Sequence, residues 1–227
     1  MRLLATSLGT LRYAPALELQ RDLARRRIAG EIDEDVLLLL EHPPVVTLGR
    51  TAKEGHLVAS PERLQARGVE VFEVERGGDV TFHGPGQLVG YPILDLKRHR
   101  RDLHWYLRQV EEALIASLAE FGISAERSSG YTGVWTRGQK IASIGVHARD
   151  WVTWHGFALN VMTDLSFFDL IVPCGIPDVQ MTSMVREIGR DHVTMDAVID
   201  SVSRAFGQVF GLDVRRVSAE LLEAVTR

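Results

Sequence analysis

The chain has 227 residues, of which 45% are hydrophobic and 25% charged, and its formal net charge at pH 7 is -4. This length can bury a sizeable core, whereas the acidic balance leaves no overall basic surface for nucleic acid. The chain contains no run of about 18 apolar residues, so we expect no membrane-spanning helix. The apolar part of the N-terminal stretch is too short for a signal peptide, and one cysteine excludes an internal disulfide. Together these features favour a cytoplasmic protein.

Apolar patterning predicts both strands and helices along the first half of the chain. Short apolar runs predict strands at 3–8, 36–40, 45–48, 69–74 and 88–96. Three helices are predicted, which begin near Pro15, Ser60 and Leu107 and end at Gly30, Gly68 and Gly122. The third helix has the clearest signal, because its apolar residues recur at intervals of three and four.

The second half of the chain begins with two predicted hairpins. Turn residues separate β-prone runs between 133 and 161, which indicates antiparallel pairing. A short helix or turn is predicted at 163–171, a loop at 172–177, and helices at 194–210 and 218–225. No repeat or linker is apparent, so residues 1–227 are predicted to form one domain. The predicted class is α+β, with a mixed, mostly antiparallel sheet flanked by helices.

The stretch from Arg76 to Leu96 packs four glycines and a proline into ten residues, around Phe82 and His83. Glycine lets a ligand approach the backbone closely, and phosphate is the first candidate for such a loop. However, the stretch has no Gly-Lys-Ser/Thr ending and leads into a predicted strand rather than a helix. Phosphate binding is therefore not favoured.

Cys174 lies between Pro173 and Gly175 in a predicted loop. A lone cysteine is commonly a buried, inert thiol, yet this context holds the side chain at a fixed angle with open backbone beside it. The residues alone leave both interpretations open. A nucleophilic cysteine needs a basic helper, for which His83 is the histidine best placed and Lys140 a second option. The alternative for Lys140 is a solvated surface lysine.

A basic run, Lys97 to Arg101, stands out in this acidic chain. It is either a solvated connector into the long helix or a docking patch for an acidic partner, and the sequence favours neither. No spacing of cysteines and histidines indicates a zinc site, so no metal ligands are predicted.

Five segments together carry a recognisable pattern: EHPPVVTLG at 41–49, RGGDVTFHGPGQ at 76–87, KIASIG at 140–145, HGFALN at 155–160 and PCGI at 173–176. In this order and spacing they resemble the lipoyl(octanoyl) transferases, over about residues 38–176. Two departures are slight. Phe82 stands where the family often has tyrosine, and His147 stands where it often has a basic residue.

The resemblance implies a fold like the catalytic domain of biotin and lipoate protein ligases, and an enzyme without a cofactor. Such an enzyme transfers an octanoyl (or lipoyl) group from acyl carrier protein to a lysine of a lipoyl domain. The acceptors would be lipoyl domains of 2-oxoacid dehydrogenase complexes and the glycine cleavage H protein. In this pattern Cys174 would form the acyl-thioester, and Lys140 would lower the pKa of its thiol.

The resemblance also implies a substrate site. Its residues would be Arg76, Gly77, Gly78, Asp79, Val80, Thr81, Phe82, His83, Ser143, Ile144, Gly145, Gly156, Phe157 and Ala158. We expect its glycines to let the acyl chain lie close to the backbone, with His83 at the rim as a polar orienting group. Two alternatives are an ATP-dependent lipoate or biotin ligase on the same fold, and a non-catalytic domain that binds acylated carriers.

Overall fold

Two β-sheets form the framework of the molecule. The computed structural model describes residues 1–176 and 178–225. The strands in this part of the chain are β1 (Arg2–Thr10), β2 (Asp35–Glu41), β3 (Val45–Leu48), β4 (Glu70–Glu73), β5 (Val80–His83), β6 (Gln87–Ile93), β7 (Val134–Thr136), β8 (Gln139–Arg149), β9 (Val152–Asn160) and β10 (Asp213–Arg216). Seven of them form the larger sheet in the order β10-β1-β2-β6-β9-β8-β7, and three form the smaller sheet in the order β4-β3-β5.

The strand pairing is mixed and mostly antiparallel, which confirms the predicted class. β1 is parallel to β2 and β10, whereas β2, β6, β9, β8 and β7 pair antiparallel in succession. In the smaller sheet β3 is parallel to β4 and antiparallel to β5. β2 lies inside the larger sheet with both faces covered, which explains its continuous apolar run.

Helices cover both faces of the larger sheet. The α-helices of the described residues are α1 (Tyr13–Ala29), α2 (Pro61–Ala66), α3 (Leu103–Glu120), α4 (Met184–Ile188), α5 (Met195–Phe210) and α6 (Ala219–Val225). α3 and α5 pack against Leu37 and Leu39 of β2. α1 and α6 pack in a separate core with Val36 and Leu38. Successive β2 residues thus point to two cores, as the alternation of a strand requires.

The helix ends follow local chemistry. α1 ends at Gly30, which has φ 75° and donates its N–H to the carbonyls of the last turn. α3 begins after Asp102, whose carboxylate accepts the N–H of Trp105 at 2.9 Å. Removing such a cap destabilises a helix by about 1 kcal/mol.

Three elements differ from the sequence prediction. The glycine-rich stretch is predicted as a loop between two strands, but it contains a strand of its own, β5, in register with β3. The sequence also predicts neither α4 nor β10. α4 has only five residues and β10 only four, so neither is long enough to show a clear period.

The segment around Cys174 is partly ordered as 3-10 helix. Leu165–Leu170 forms one such helix, within the predicted helix or turn at 163–171. Pro173–Gly175 forms another single turn inside the predicted loop at 172–177. Pro177, the last residue of that predicted loop, lies outside the described residues.

The chain crosses from the smaller to the larger sheet through the turn between β5 and β6. This crossing places the residues before β5 beside β8, where the N–H of Gly77 donates to the carbonyl of Val146 at 2.8 Å. A space between the two sheets results. Among the described residues, no helix is both long and apolar enough to span a bilayer.

Candidate active site

A cavity of about 200 Å³ lies between the stretch leading into β5 and the strands β8 and β9. Cys174 and Lys140 both line it. So do twelve of the fourteen expected substrate-site residues: Arg76, Gly78, Asp79, Val80, Thr81, His83, Ser143, Ile144, Gly145, Gly156, Phe157 and Ala158. Segments that are far apart in sequence therefore converge on one space.

Gly77 and Phe82, the other two expected residues, do not line the cavity. Gly77 ties the glycine-rich stretch to β8 through its N–H. The ring of Phe82 is 1% exposed and stacks on Phe167 with 4.6 Å between ring centroids. Because side chains alternate along a strand, Phe82 points away from Thr81 and His83 and into the core of the smaller sheet.

In the cavity wall, the polar atom nearest to the Cys174 sulfur belongs to Lys140. Lys140 Nζ lies 3.0 Å from Cys174 Sγ, and Ser143 Oγ lies 3.6 Å from the same sulfur. Cys174 has φ 57° and ψ 18°, a left-handed conformation that directs its side chain out of the 3-10 turn. The thiol thus has a cation and a hydroxyl as neighbours.

The ammonium of Lys140 is held in place from several sides. The residue is 1% exposed, and its backbone bonds Gln180 and Thr182 on both sides of an isolated bridge to Met181. Nζ lies 4.9 Å from the centroid of the Trp135 ring. Among the described residues no carboxylate pairs with Lys140. The Cys174 sulfur is the polar side-chain atom that faces Nζ.

Asp79 and His56 support the Cys174 turn from behind. His56 donates from Nδ1 to Asp79 Oδ2 at 2.7 Å, and the carbonyl of His56 accepts the N–H of Val172 at 2.8 Å. The other oxygen of Asp79 accepts the N–H of Val80 at 2.7 Å. A side chain at Gly175, where φ is 65°, would place Cβ only 2.4 Å from Asp79 Oδ2. The turn therefore lies directly against this carboxylate.

Arg76 brings a second buried cation to the cavity. Its guanidinium donates to the carbonyl of Thr47 at 2.6 Å, to the Thr47 hydroxyl at 2.9 Å and to the carbonyl of Gly77 at 3.1 Å. Within 1–176 and 178–225 no carboxylate forms an ion pair with it. Burial lowers the pKa of the Arg76 guanidinium. These contacts fix the glycine-rich stretch to β3.

His83 lies inside the wall and not at the rim. It is 7% exposed and donates from Nδ1 to Gln87 Oε1 at 2.9 Å. Gln87 in turn donates to Asn160 at 2.9 Å. Burial lowers the pKa of His83 to about 3, so its ring is neutral at pH 7. The expectation that it orients substrate from the rim is wrong in this respect.

A buried histidine–tyrosine pair stands behind His83. His42 Nδ1 lies 2.6 Å from the carbonyl of Leu11 and Nε2 lies 2.7 Å from the hydroxyl of Tyr91. A carbonyl only accepts, so Nδ1 carries the proton and the Tyr91 hydroxyl donates to Nε2. Burial lowers the pKa of His42 to about 4 and raises that of Tyr91 well above its usual value. Both groups are therefore neutral at pH 7.

Sequence reasoning missed several residues of the cavity wall. They are Tyr13, Tyr91, Gly130, Tyr131, Thr132, His155 and Ile176. His155 belongs to the HGFALN motif. It has a left-handed φ of 55°, and its N–H donates to Gln20 Oε1 at 2.9 Å. Tyr13 starts α1, and burial raises its pKa to about 12. His155 and Ile176 lie in two of the five motifs and Tyr91 lies in the stretch from Arg76 to Leu96, whereas the other four residues had no signal in the sequence.

The basic run at 97–101 is largely paired within the chain. Lys97 faces Asp95 at 3.8 Å, His99 bonds Asp35 at 2.7 Å, and Arg98 donates to the carbonyl of Asp33. These contacts are those of a connector, and nothing in them points to a partner. No cluster of three or more histidine, cysteine, aspartate or glutamate side chains suited to a metal ion occurs among the described residues.

Comparison with known proteins identifies the relatives of this chain. The family model for the lipoyl protein ligase A/B catalytic domain matches residues 12–207. An octanoyltransferase of Acidobacterium capsulatum is 54% identical over 221 residues, which cover 91% of this chain and 89% of that protein. The chain belongs to the octanoyltransferase family. A member from Caldicellulosiruptor saccharolyticus is 46% identical over 229 residues, covering 100% of this chain and 97% of its own.

Solved structures of more distant proteins share the fold of this octanoyltransferase family member. A lipoate-protein ligase A bound with ATP superposes with a TM-score of 0.74 at 18% identity, covering 100% of this chain and 92% of its own. Biotin protein ligase from Aquifex aeolicus superposes with a TM-score of 0.52 at 13% identity, covering 93% of this chain and 69% of its own. The expected fold is thus confirmed.

Proposed function

We propose that this chain transfers an octanoyl (or lipoyl) group from acyl carrier protein to a lysine of a lipoyl domain, through a thioester on Cys174. The observation that carries the proposal is the 3.0 Å contact between Lys140 Nζ and Cys174 Sγ in the wall of a cavity. A thiolate is the reactive form of cysteine, and an adjacent buried ammonium favours it electrostatically.

The first step is an exchange of thioesters. The Cys174 thiolate attacks the carbonyl carbon of the octanoyl thioester, a new C–S bond forms, and the bond to the carrier's sulfur breaks. The carrier leaves as a thiolate and takes a proton from water. Because one thioester replaces another, the step is nearly isoenergetic and needs no nucleotide.

The second step forms the amide. The neutral amine of the acceptor lysine attacks the same carbonyl carbon, the C–N bond forms, and the bond to Cys174 Sγ breaks. Cys174 leaves as a thiolate beside the Lys140 ammonium, and the amine releases one proton. An amide is more stable than a thioester, so this step drives the cycle. Two carrier proteins can thus use one site in turn.

The cavity supplies a wall for the acyl chain. Ile144, Phe157 and Ala158 line it with apolar side chains, and Gly145 and Gly156 expose backbone between them. Each buried CH₂ stabilises the complex by about 0.8 kcal/mol, so an octanoyl chain gains several kcal/mol there. The thioester carbonyl then lies at the Cys174 end, near Ser143.

The partners in this proposal are octanoyl acyl carrier protein, lipoyl domains of 2-oxoacid dehydrogenase complexes and the glycine cleavage H protein. Residues 1–227 act as one catalytic domain in the cytoplasm, without a cofactor. One related structure is described as a bipartite lipoate protein ligase and its E2 lipoyl domain, which supports an acceptor of that class.

Mass spectrometry after incubation with octanoyl carrier protein tests the proposal. The protein should gain the mass of one octanoyl group, lose it again when a lipoyl domain is added, and gain nothing as Cys174→Ala. A protein that keeps its own mass but retains the carrier in pull-down is a binding domain. If Cys174→Ala transfers octanoate at full rate with ATP, the chain is an ATP-dependent ligase.

A further inference from the structure

Glu111 is a buried carboxylate on α3 outside the cavity. It is 0% exposed, and its two oxygens bind three donors. Oε2 accepts from Arg108 at 2.6 Å and from Arg127 at 3.1 Å, and Oε1 accepts the backbone N–H of Gly133 at 3.1 Å. The two arginines sit at the protein surface, whereas the bond to Gly133 points inward towards β7.

Gly133 packs directly against Lys140. A Cβ built at Gly133 would lie 2.8 Å from Lys140 Cε and 2.7 Å from the carbonyl oxygen of Ala142. Its φ of 140° is also one that side chains rarely adopt. Glycine is thus the residue that lets this peptide touch the lysine stem, while Trp135, two residues later, covers the ammonium.

The same carboxylate closes the loop that carries Gly133. Glu126 and Trp135 exchange backbone hydrogen bonds at 2.8 and 2.9 Å. Arg127 on one side of the loop and Gly133 on the other both bind Glu111. Between them, Gly130, Tyr131 and Thr132 line the cavity.

We propose that Glu111 is a positioning residue for the reaction. By holding Gly133, it presses this peptide against the stem of Lys140 and so keeps Nζ beside Cys174. It does not contact the Cys174 sulfur, and it acts through Gly133. The inference rests on the proposed function, because it takes the Lys140–Cys174 pair as the reactive pair.

The test compares Glu111→Ala and Glu111→Gln with Glu112→Gln, a variant of the half-exposed neighbouring residue. Glu112 also binds Arg127 but makes no contact with Gly133, so it controls for the loss of that arginine's partner. The first readout is the rate of Cys174 alkylation by iodoacetamide as a function of pH. The other charged or imidazole groups of the wall, Arg76, Asp79, His83 and His155, are unchanged in every variant.

Glu111→Ala should slow alkylation at pH 7 and move its rate–pH profile to higher pH. A substitution far from the reacting atoms that misplaces a catalytic group by about 1 Å can lower the rate up to about a hundredfold. We therefore expect Glu111→Ala to lose roughly tenfold or more in kcat, with KM for the carrier unchanged. Glu111→Gln keeps one oxygen for Gly133 and should restore most of the profile, and Glu112→Gln should match the parent.

Gly133→Ala keeps the inference testable if Glu111→Ala fails to fold. It leaves Glu111 intact but forces the peptide off Lys140, so it should move the profile in the same direction. The inference is overturned if a folded Glu111→Ala or Gly133→Ala has the parent's profile while Lys140→Ala does not. If Lys140→Ala itself has the parent's profile, the role given to Lys140 in the proposed function fails instead.

Discussion

Lys140 Nζ lies 3.0 Å from Cys174 Sγ, although 33 residues separate the two in the chain. If this ammonium stabilises the thiolate, Lys140→Ala should slow the first acyl transfer on the order of a hundredfold, as for removal of other preorganised charged or polar groups. Single-turnover acylation followed by mass spectrometry measures the rate. Lys53→Ala, at an exposed lysine, is the control and should leave the rate unchanged. Equal rates for Lys140→Ala and the parent would remove Lys140 from the reaction.

Gly175 lies against the carboxylate of Asp79. We expect Gly175→Ala to displace the Cys174 turn, because the new Cβ would lie 2.4 Å from Asp79 Oδ2 at a φ of 65°. Acylation should fall at least about tenfold, in line with the cost of misplacing a reacting group. Gly122→Ala is a matched control, since φ there is 74° but nothing lies within 4 Å of the built Cβ.

Both alanine variants carry the left-handed strain of about 1–2 kcal/mol and should melt a few degrees lower. Only Gly175→Ala should lose acylation. A similar loss in Gly122→Ala would mean that general destabilisation, and not the contact with Asp79, explains the result.

Phe82 packs in the core of the smaller sheet, and Phe157 lines the cavity. Phe82→Leu should therefore lower the free energy of unfolding by about 1 kcal/mol and leave the preference for acyl chain length unchanged. Phe157→Leu should change that preference, which is measured with carriers loaded with six-, eight- and ten-carbon chains. A change in chain preference in Phe82→Leu would place its ring at the acyl site after all.

The stability of the protein should fall as pH falls below about 6.5. His42 has a pKa of about 4 in the folded state, lowered by burial, against 6.5 for the unfolded chain. Between pH 6.5 and about pH 4 the unfolded state binds one more proton at His42 than the folded state does. The contribution of neutral His42 to stability is therefore complete above pH 6.5 and is lost as the pH falls towards 4. The loss from His42 is roughly 3 kcal/mol, since each pKa unit corresponds to about 1.4 kcal/mol.

Thermal melts of the parent, His42→Gln and the exposed-site variant His192→Gln between pH 7.5 and about 4.5 check this expectation. His42→Gln should melt lower at pH 7.5 but show a flatter dependence on pH. His83, with a folded pKa of about 3, adds a slope of the same sign in all three proteins. An identical slope for His42→Gln and the parent would show that His42 does not titrate on unfolding.

The elements predicted from sequence are those whose pattern is set by burial over many residues. α3 and β2 are examples, because one face of α3 and both faces of β2 are covered. β10 was not predictable, since Asp213–Arg216 has no apolar alternation and becomes a strand only because α5 returns the chain to the edge of β1. Local pattern carries no information about such a return.

The contacts within the site were likewise not predictable from local sequence patterns. The motifs indicated Cys174 and Lys140 through their family resemblance, but they did not show that β8 and the 3-10 turn at 173–175 bring the two side chains into contact. Tyr13 reaches the cavity from the start of α1, more than sixty residues before the glycine-rich stretch, and nothing around it in sequence signals a site. Phe82 is the opposite case. It lies in the motif next to His83, but because side chains alternate along β5 its ring points away from the cavity.

Cys174 occupies a backbone conformation, φ 57° and ψ 18°, that glycine adopts at little cost and other residues adopt at about 1–2 kcal/mol. Cys174→Gly should melt no lower than Cys174→Ala, although both lack the thiol and only the alanine variant keeps a Cβ. The strain at this residue is thus a folding cost of about 1–2 kcal/mol that comes with any side chain at position 174.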